Sequence, residues 1–138
     1  LMTAPVVSGG KEGGTLIIGA AKDAMTMDPG RTNDFGSMLV HDQIFDTLVT
    51  LDKDGGLLPA VATSWEVSSD MLKWVFHLRK GITLHNGREL DAEDVRYSFE
   101  RILKSPEMAA QKRSKIDMIK EIYVIDKYTV SIAPFSAP

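Results

Sequence analysis

Alternating apolar and polar positions predict a β-strand over residues 72–79. Leu72, Trp74, Phe76 and Leu78 take every second position, and the residues between them are mostly polar. Successive side chains of a strand point to opposite faces, so this pattern is typical of a strand with one face on a core. We therefore expect Trp74 and Phe76 to face the core rather than solvent.

Weaker β signals lie elsewhere in the chain. Residues 82–84 suggest a partner for the 72–79 strand, closed by a turn at Asn86 and Gly87. Two apolar, β-rich runs over residues 119–126 and 129–133 predict a hairpin.

Two shorter apolar runs predict strands nearer the start. Residues 15–20 are apolar and rich in β-branched side chains, which predicts a buried strand. Residues 48–52 predict another strand, which enters the turn-forming residues 52–56.

The helical period of 3.6 residues appears over residues 92–104. Asp91 provides an N-cap, and Asp94 three residues later completes an imperfect capping box. Pro106 disfavours helical backbone at the residue before it and therefore ends the helix. The apolar stripe consists of Val95, Phe99, Ile102 and Leu103. A second, short helix is expected over residues 107–114.

An earlier helix is predicted because Val40, Ile44 and Leu48 recur every four residues, with Phe45 widening their stripe. Together, the elements predict an α+β fold, in which a small antiparallel sheet carries flanking helices on one face.

Composition narrows the class of protein. The chain has 138 residues, 43% of them hydrophobic and 25% charged, as in an ordinary soluble domain. Its net charge of −3 argues against a nucleic-acid partner. No apolar run approaches the ~20 residues of a membrane span. Residues 1–14 are glycine-rich and predict a flexible leader.

Motifs for catalysis and metal binding all fail. Residues 52–55 resemble the opening of a calcium loop, but Thr63 stands where a bidentate Glu is needed. No serine lies in a Gly-x-Ser-x-Gly elbow. The histidines share no helical i,i+4 spacing; they are His41, His77 and His85. We expect no catalytic residue, no metal and no cofactor.

A long series of segments resembles the family 5 extracellular solute-binding proteins, the dipeptide-, oligopeptide- and nickel-binding group. Their order and spacing carry the resemblance, which extends over most of residues 14–138. The segments are MLVHDQIFDTLV at 38–49, DKDG at 52–55, LPAVA at 58–62, SWEV at 64–67, WVFHLRKGI at 74–82, HNG at 85–87 and DAEDVRYSFER at 91–101. Two positions depart from the family pattern: Leu84 replaces an aromatic residue, and Met71-Leu72 replaces a glycine-containing turn.

The resemblance implies a two-lobed periplasmic binding protein fold, several times longer than this chain, of which this would be an N-terminal fragment. Residues 15–33 would then begin the large lobe, and residues 34–138 would form its small α+β subdomain. The implied function is the substrate-binding component of an ABC transporter. It would capture peptides or similar small solutes and deliver them to a membrane permease. The implied location is periplasmic or extracytoplasmic, and membrane-associated if the protein is a lipoprotein.

By the same resemblance, the loop after the first strand is the only stretch near the family's ligand cleft, which lies between the two lobes. Its backbone and flexible methionines could contact a ligand, although an ordinary surface loop is an equal alternative. The candidate ligand-binding residues are Met25, Thr26, Met27 and Asp28.

Two alternatives to a transport protein are a hydrolase-type enzyme and a ligand-free interaction domain of the same family. The enzyme would need a convergent acid–base or nucleophile–base set, and none is visible. With one lobe missing, we expect weak or no binding of peptides by this chain alone. We also expect residues 15–20 either to be disordered or to pair with a second copy in a homodimer, because an unpaired apolar strand is a template for association.

Overall fold

The computed structural model describes residues 13–15, 17, 19–108 and 116–136. These residues form α1 (Phe35–His41), β1 (Val49–Leu51), β2 (Leu57–Pro59), β3 (Ala62–Val67), β4 (Trp74–Leu78), α2 (Ala92–Lys104), a 3-10 helix (Pro106–Met108), β5 (Ile119–Asp126) and β6 (Thr129–Pro134). The predicted leader lies outside the described residues except for positions 13 and 14. The helix predicted over 107–114 is described only to Met108, where the backbone is 3-10.

The central feature is an antiparallel four-stranded sheet with the spatial order β3, β4, β6, β5. Phe76 of β4 lies opposite Trp65 on one neighbour and Val130 on the other. Val124 of β5 then lies opposite Val130. Because paired residues share a face, this row defines the inner face, and the predicted inward orientation of Phe76 is confirmed. Trp74 lies on the same face and is half-buried against the core.

The core lies where this inner face meets α2 and the segment before β3. Val130 is fully enclosed, and Phe76 is 9% exposed. The buried members are Val61, Ala62, Phe76, Leu78, Ala92, Val95, Ile122 and Val130. The predicted α+β fold, with a small antiparallel sheet and flanking helices, is confirmed.

Helix α2 has the bounds that the sequence predicts. Asp91 accepts hydrogen bonds from the N–H groups of Glu93 and Asp94, and the Asp94 side chain accepts one from the Asp91 N–H, which is a full capping box. At the other end, Ser105 is extended, with ψ of 123°, as expected for the residue before Pro106.

Helix α1 is shorter than its apolar stripe predicts. It ends at His41, and the carbonyl oxygen of His41 accepts hydrogen bonds from the N–H groups of both Ile44 and Phe45 at 2.9 Å. The chain therefore continues as a turn, which leaves Ile44 and Phe45 each 45% exposed. The prediction of one helix reaching Leu48 is wrong.

Two strand predictions are also wrong. In the described part of residues 15–20, no residue lies in a strand, and Ile17 is 89% exposed, because none of the described strands runs beside it. Residues 82–84 do not pair with β4. They fold back locally on residues 88–90, with one bridge between Thr83 and Glu89, while β4 is already flanked by β3 and β6.

Candidate ligand-binding site

The candidate loop, residues 25–28, leads into a tight turn built around Asp28. The Asp28 N–H donates to Thr26 Oγ1 at 3.2 Å, and the Gly30 N–H donates to Asp28 Oδ1 at 2.9 Å. The Arg31 N–H donates to the Asp28 carbonyl oxygen at 3.0 Å. Asp side chains commonly cap turns in this way, so the Asp-Pro-Gly sequence explains the local shape.

Helix α1 anchors the first half of the loop. The Met25 N–H donates to Ser37 Oγ at 2.9 Å, and His41 Nε2 donates to the Thr26 carbonyl oxygen at 2.9 Å. Ser37 and His41 lie one helical turn apart on the same face of α1 and are both buried. These two polar side chains therefore hold the loop backbone, and neither is free for other chemistry.

Helix α2 anchors the second half. The Arg101 guanidinium donates to both carboxylate oxygens of Asp28, from Nη1 at 2.8 Å and from Nη2 at 2.7 Å. The hydrogen bond from Arg101 is the main reason that the pKa of Asp28 lies below its usual value. The same pair raises the pKa of Arg101. The negative charge of Asp28 is therefore already matched within the chain.

The four candidate residues thus divide into two kinds. Thr26 and Asp28 are half-buried and make the structural contacts, whereas Met25 and Met27 are 77% and 51% exposed. Unbranched thioether side chains adapt to varied apolar surfaces. The loop therefore exposes two flexible apolar side chains on a fixed backbone and no unmatched charge.

A groove on another part of the described surface was not found from the sequence. It has a volume of about 890 Å³, and none of the 25–28 residues lines it. Its apolar walls include Phe45, Leu48, Leu84 and Phe99. Of its polar groups, Asp94 is already paired with Arg88 at 2.5 Å. The size suits a small ligand, and polar side chains such as His85 and Asn86 also line the groove.

The described part of the chain contains no cluster of three or more His, Cys, Asp or Glu side chains able to hold a metal ion. Within the same residues, no helix has the length and apolar character needed to cross a bilayer. His77 contacts Glu66 at 3.3 Å on the exposed face of the sheet, and His85 lines the groove. The histidines are therefore distributed over three separate surroundings.

Comparison with known proteins assigns the family. Residues 56–137 match the model of the bacterial extracellular solute-binding proteins, family 5 (middle). The probable D,D-dipeptide-binding periplasmic protein DdpA of Escherichia coli is 36% identical over 130 residues, which cover 87% of this chain and 25% of that protein. The chain spans about a quarter or less of the length of the curated relatives that it matches.

Solved structures agree in fold. The periplasmic binding protein DppA of Helicobacter pylori, in complex with the peptide STSA, aligns with a TM-score of 0.71 and 32% identity, over 83% of this chain and 26% of that one. The binding protein AgaA of A. tumefaciens R10, in complex with agropinic acid, aligns with a TM-score of 0.74 and 31% identity, over 83% of this chain and 23% of that one. These neighbours confirm the predicted periplasmic binding protein fold. The chain belongs to the bacterial extracellular solute-binding proteins of family 5.

Proposed function

We propose that this chain forms part of the substrate-binding component of an ABC transporter, which captures peptides or similar small solutes outside the cytoplasmic membrane. Family membership carries this proposal, and the fold shared with peptide-bound DppA supports it. A transporter permease in the membrane would be the partner. Several relatives are periplasmic proteins by name, which supports a periplasmic location. Membrane attachment would follow if the protein carries a lipid anchor.

The proposed ligand contact is the loop of Met25, Thr26, Met27 and Asp28. The exposed thioethers of Met25 and Met27 would pack on the ligand, and the backbone held by α1 and α2 would fix their position. Residues 15–33 would belong to a large lobe and residues 34–138 to its small subdomain. A second lobe, as in the longer relatives, would close over the ligand and bury most of its surface.

Peptides are the proposed ligand class, and the binding experiment below would also reveal binding of other small solutes. The DppA structure is a complex with a peptide, and the AgaA structure is a complex with agropinic acid, so the fold accommodates different chemistries. Two adaptable methionines suit ligands of varied side chains. The proposed role is binding without catalysis, since the polar side chains around the loop are occupied in holding it.

Calorimetry with a mixed pool of di- to pentapeptides tests the role. We expect the product of the full reading frame to bind a member of the pool, and the 138 residues alone to bind none measurably. Micromolar affinity from the 138 residues alone would place the site within this chain and refute the need for a second lobe. A full product that binds neither peptides nor other small solutes would refute the transport role itself.

We also propose that the isolated 138-residue chain forms a homodimer through residues 15–20, because Ile17 is 89% exposed and an exposed apolar segment with no strand neighbour among the described residues is open to pairing with another chain. Sedimentation velocity of the chain and of the Ile17→Lys variant provides the test. A concentration-dependent dimer that the substitution abolishes is expected. A chain that stays monomeric, or a dimer unaffected by Ile17→Lys, would exclude this contact.

A further inference from the structure

The 25–28 loop contacts the end of α2 across a long stretch of sequence. Asp28 and Arg101 are 73 residues apart in the chain, yet their side chains share two hydrogen bonds of 2.7 and 2.8 Å. The pair is only partly exposed, at 34% for the Arg101 side chain and 25% for that of Asp28. Bidentate Arg–carboxylate pairs fix direction as well as distance. The end of α2 therefore determines where the Asp28 carboxylate lies.

The turn after the loop packs tightly against the same end of α2. Gly30 is buried, and a Cβ placed there would lie 3.0 Å from Met108 Sδ and 3.2 Å from Arg101 Nη2. Arg31 Nη2 also donates to Glu107 Oε2 at 2.8 Å, just beyond the helix end. Three contacts therefore join the turn to the end of α2: the close packing at Gly30, the ion pair of Asp28 with Arg101, and the ion pair of Arg31 with Glu107. The turn is packed against the helix end at several points.

Docking through Asp28 leaves the methionines directed outward. Asp28 shares a short turn with Thr26, and the exposed Met25 and Met27 alternate with these inward residues. A shift of Asp28 would therefore be transmitted to both methionines through the short backbone between them, of one residue for Met27 and three for Met25. Arg101 itself is part of α2, far along the chain from the loop.

We propose that Arg101 is a positioning residue for ligand binding: it holds the 25–28 loop through Asp28, so that Met25 and Met27 are preorganised to meet the ligand. This inference rests on the proposed function for its consequence in binding, but the positioning itself can be measured without ligand. Preorganised side chains bind more tightly because less freedom is lost on binding. Ser37 and His41 hold the other half of the loop, so loss of Arg101 should displace the loop without unfolding the core.

Methyl NMR of the chain labelled at its methionine methyl groups tests the positioning. We expect the Met25 and Met27 resonances to move in Arg101→Gln, and to move less in Arg101→Lys, which keeps the charge but loses the paired geometry. The matched control is Arg96→Gln, since Arg96 lies on the same helix but pairs with Glu93. That variant should leave both resonances in place.

A double-mutant cycle separates positioning from general destabilisation. If Arg101 acts through Asp28, then Arg101→Gln with Asp28→Asn should displace the two resonances no further than either single substitution. Displacements that add, or resonances unchanged in Arg101→Gln, would overturn the proposal.

The binding consequence is measured separately by calorimetry on the full reading-frame product, using the same peptide pool. Arg101→Gln should weaken binding about tenfold, in line with the loss of hydrogen bonds between charged groups, and Arg96→Gln should not. Resonances that move while Met25→Ala and Met27→Ala leave the affinity unchanged would support the positioning and refute the loop's proposed role in binding.

Discussion

Replacing Gly30 by alanine should loosen the candidate loop locally. Its backbone is not left-handed, so an L side chain fits the conformation, and the cost arises from contact alone. The new Cβ would lie 3.0 Å from Met108 Sδ, about 0.5–1 Å short of normal contact. Overpacking of this kind costs about 1–3 kcal/mol. Because the Met108 thioether is flexible, we expect about 1 kcal/mol.

Amide hydrogen exchange measures this loss where it occurs. The Arg31 N–H, which donates to the Asp28 carbonyl oxygen, should exchange about fivefold faster in Gly30→Ala, as about 1 kcal/mol implies. Gly19→Ala is the matched control, since a Cβ there meets nothing within 4 Å. Unchanged exchange in Gly30→Ala, or an equal increase in Gly19→Ala, would refute the close packing of the turn on α2.

Two further predictions concern the core and the turn beside it. Val130→Ala removes two fully enclosed methyl groups and should lower the free energy of unfolding by about 2–3 kcal/mol, measured by urea titration with an unchanged slope. The control Val67→Ala, at a residue that is 41% exposed, should lower it by under about 1 kcal/mol. Equal losses in the two variants would contradict the assigned core. The hydrogen bond from Lys127 is the largest cause that lowers the pKa of Glu89 to about 2, below its value in the unfolded chain. The ionised Glu89 therefore stabilises the fold fully above about pH 4.5, and this stabilisation is lost as pH falls towards 2. Glu89→Gln should therefore have a lower melting temperature than the wild type at pH 7, and the difference in melting temperature between the two proteins should shrink as the pH is lowered. A difference in melting temperature that does not change with pH would contradict this.

Elements with complete local signals were predicted closely. For α2, the cap at Asp91, the apolar stripe and the stop at Pro106 all lie within or beside the helix, and its bounds match the prediction. The hairpin of β5 and β6 likewise follows from two β-rich runs and a short turn between them.

Tertiary contacts limited the other predictions. The four-residue spacing that indicated a helix to Leu48 is also satisfied by a turn that bonds Ile44 and Phe45 back to His41. Residues 82–84 have a strand-like pattern, but the choice of partner depends on which edge of β4 is open, which a local pattern does not contain. Residues 15–20 likewise have the propensity of a strand, but propensity does not determine whether another strand lies beside them.

Only part of the candidate site could be found from the sequence. The resemblance to the family indicated the loop, but nothing in the sequence connected Asp28 with Arg101, since 73 residues separate them. The departure from the family pattern at Met71 has a counterpart in the backbone. The family pattern has a glycine-containing turn there, and Met71 has a φ of 58°, in the left-handed region that favours glycine.

The proposed ligand site of this family 5 binding protein includes the 25–28 loop. Methionine-methyl NMR of the full reading-frame product, titrated with a peptide selected by calorimetry, tests it most directly. If the loop contacts the ligand, the Met25 and Met27 resonances shift during the titration and saturate with the calorimetric affinity. Saturated binding that leaves both resonances unmoved would contradict it.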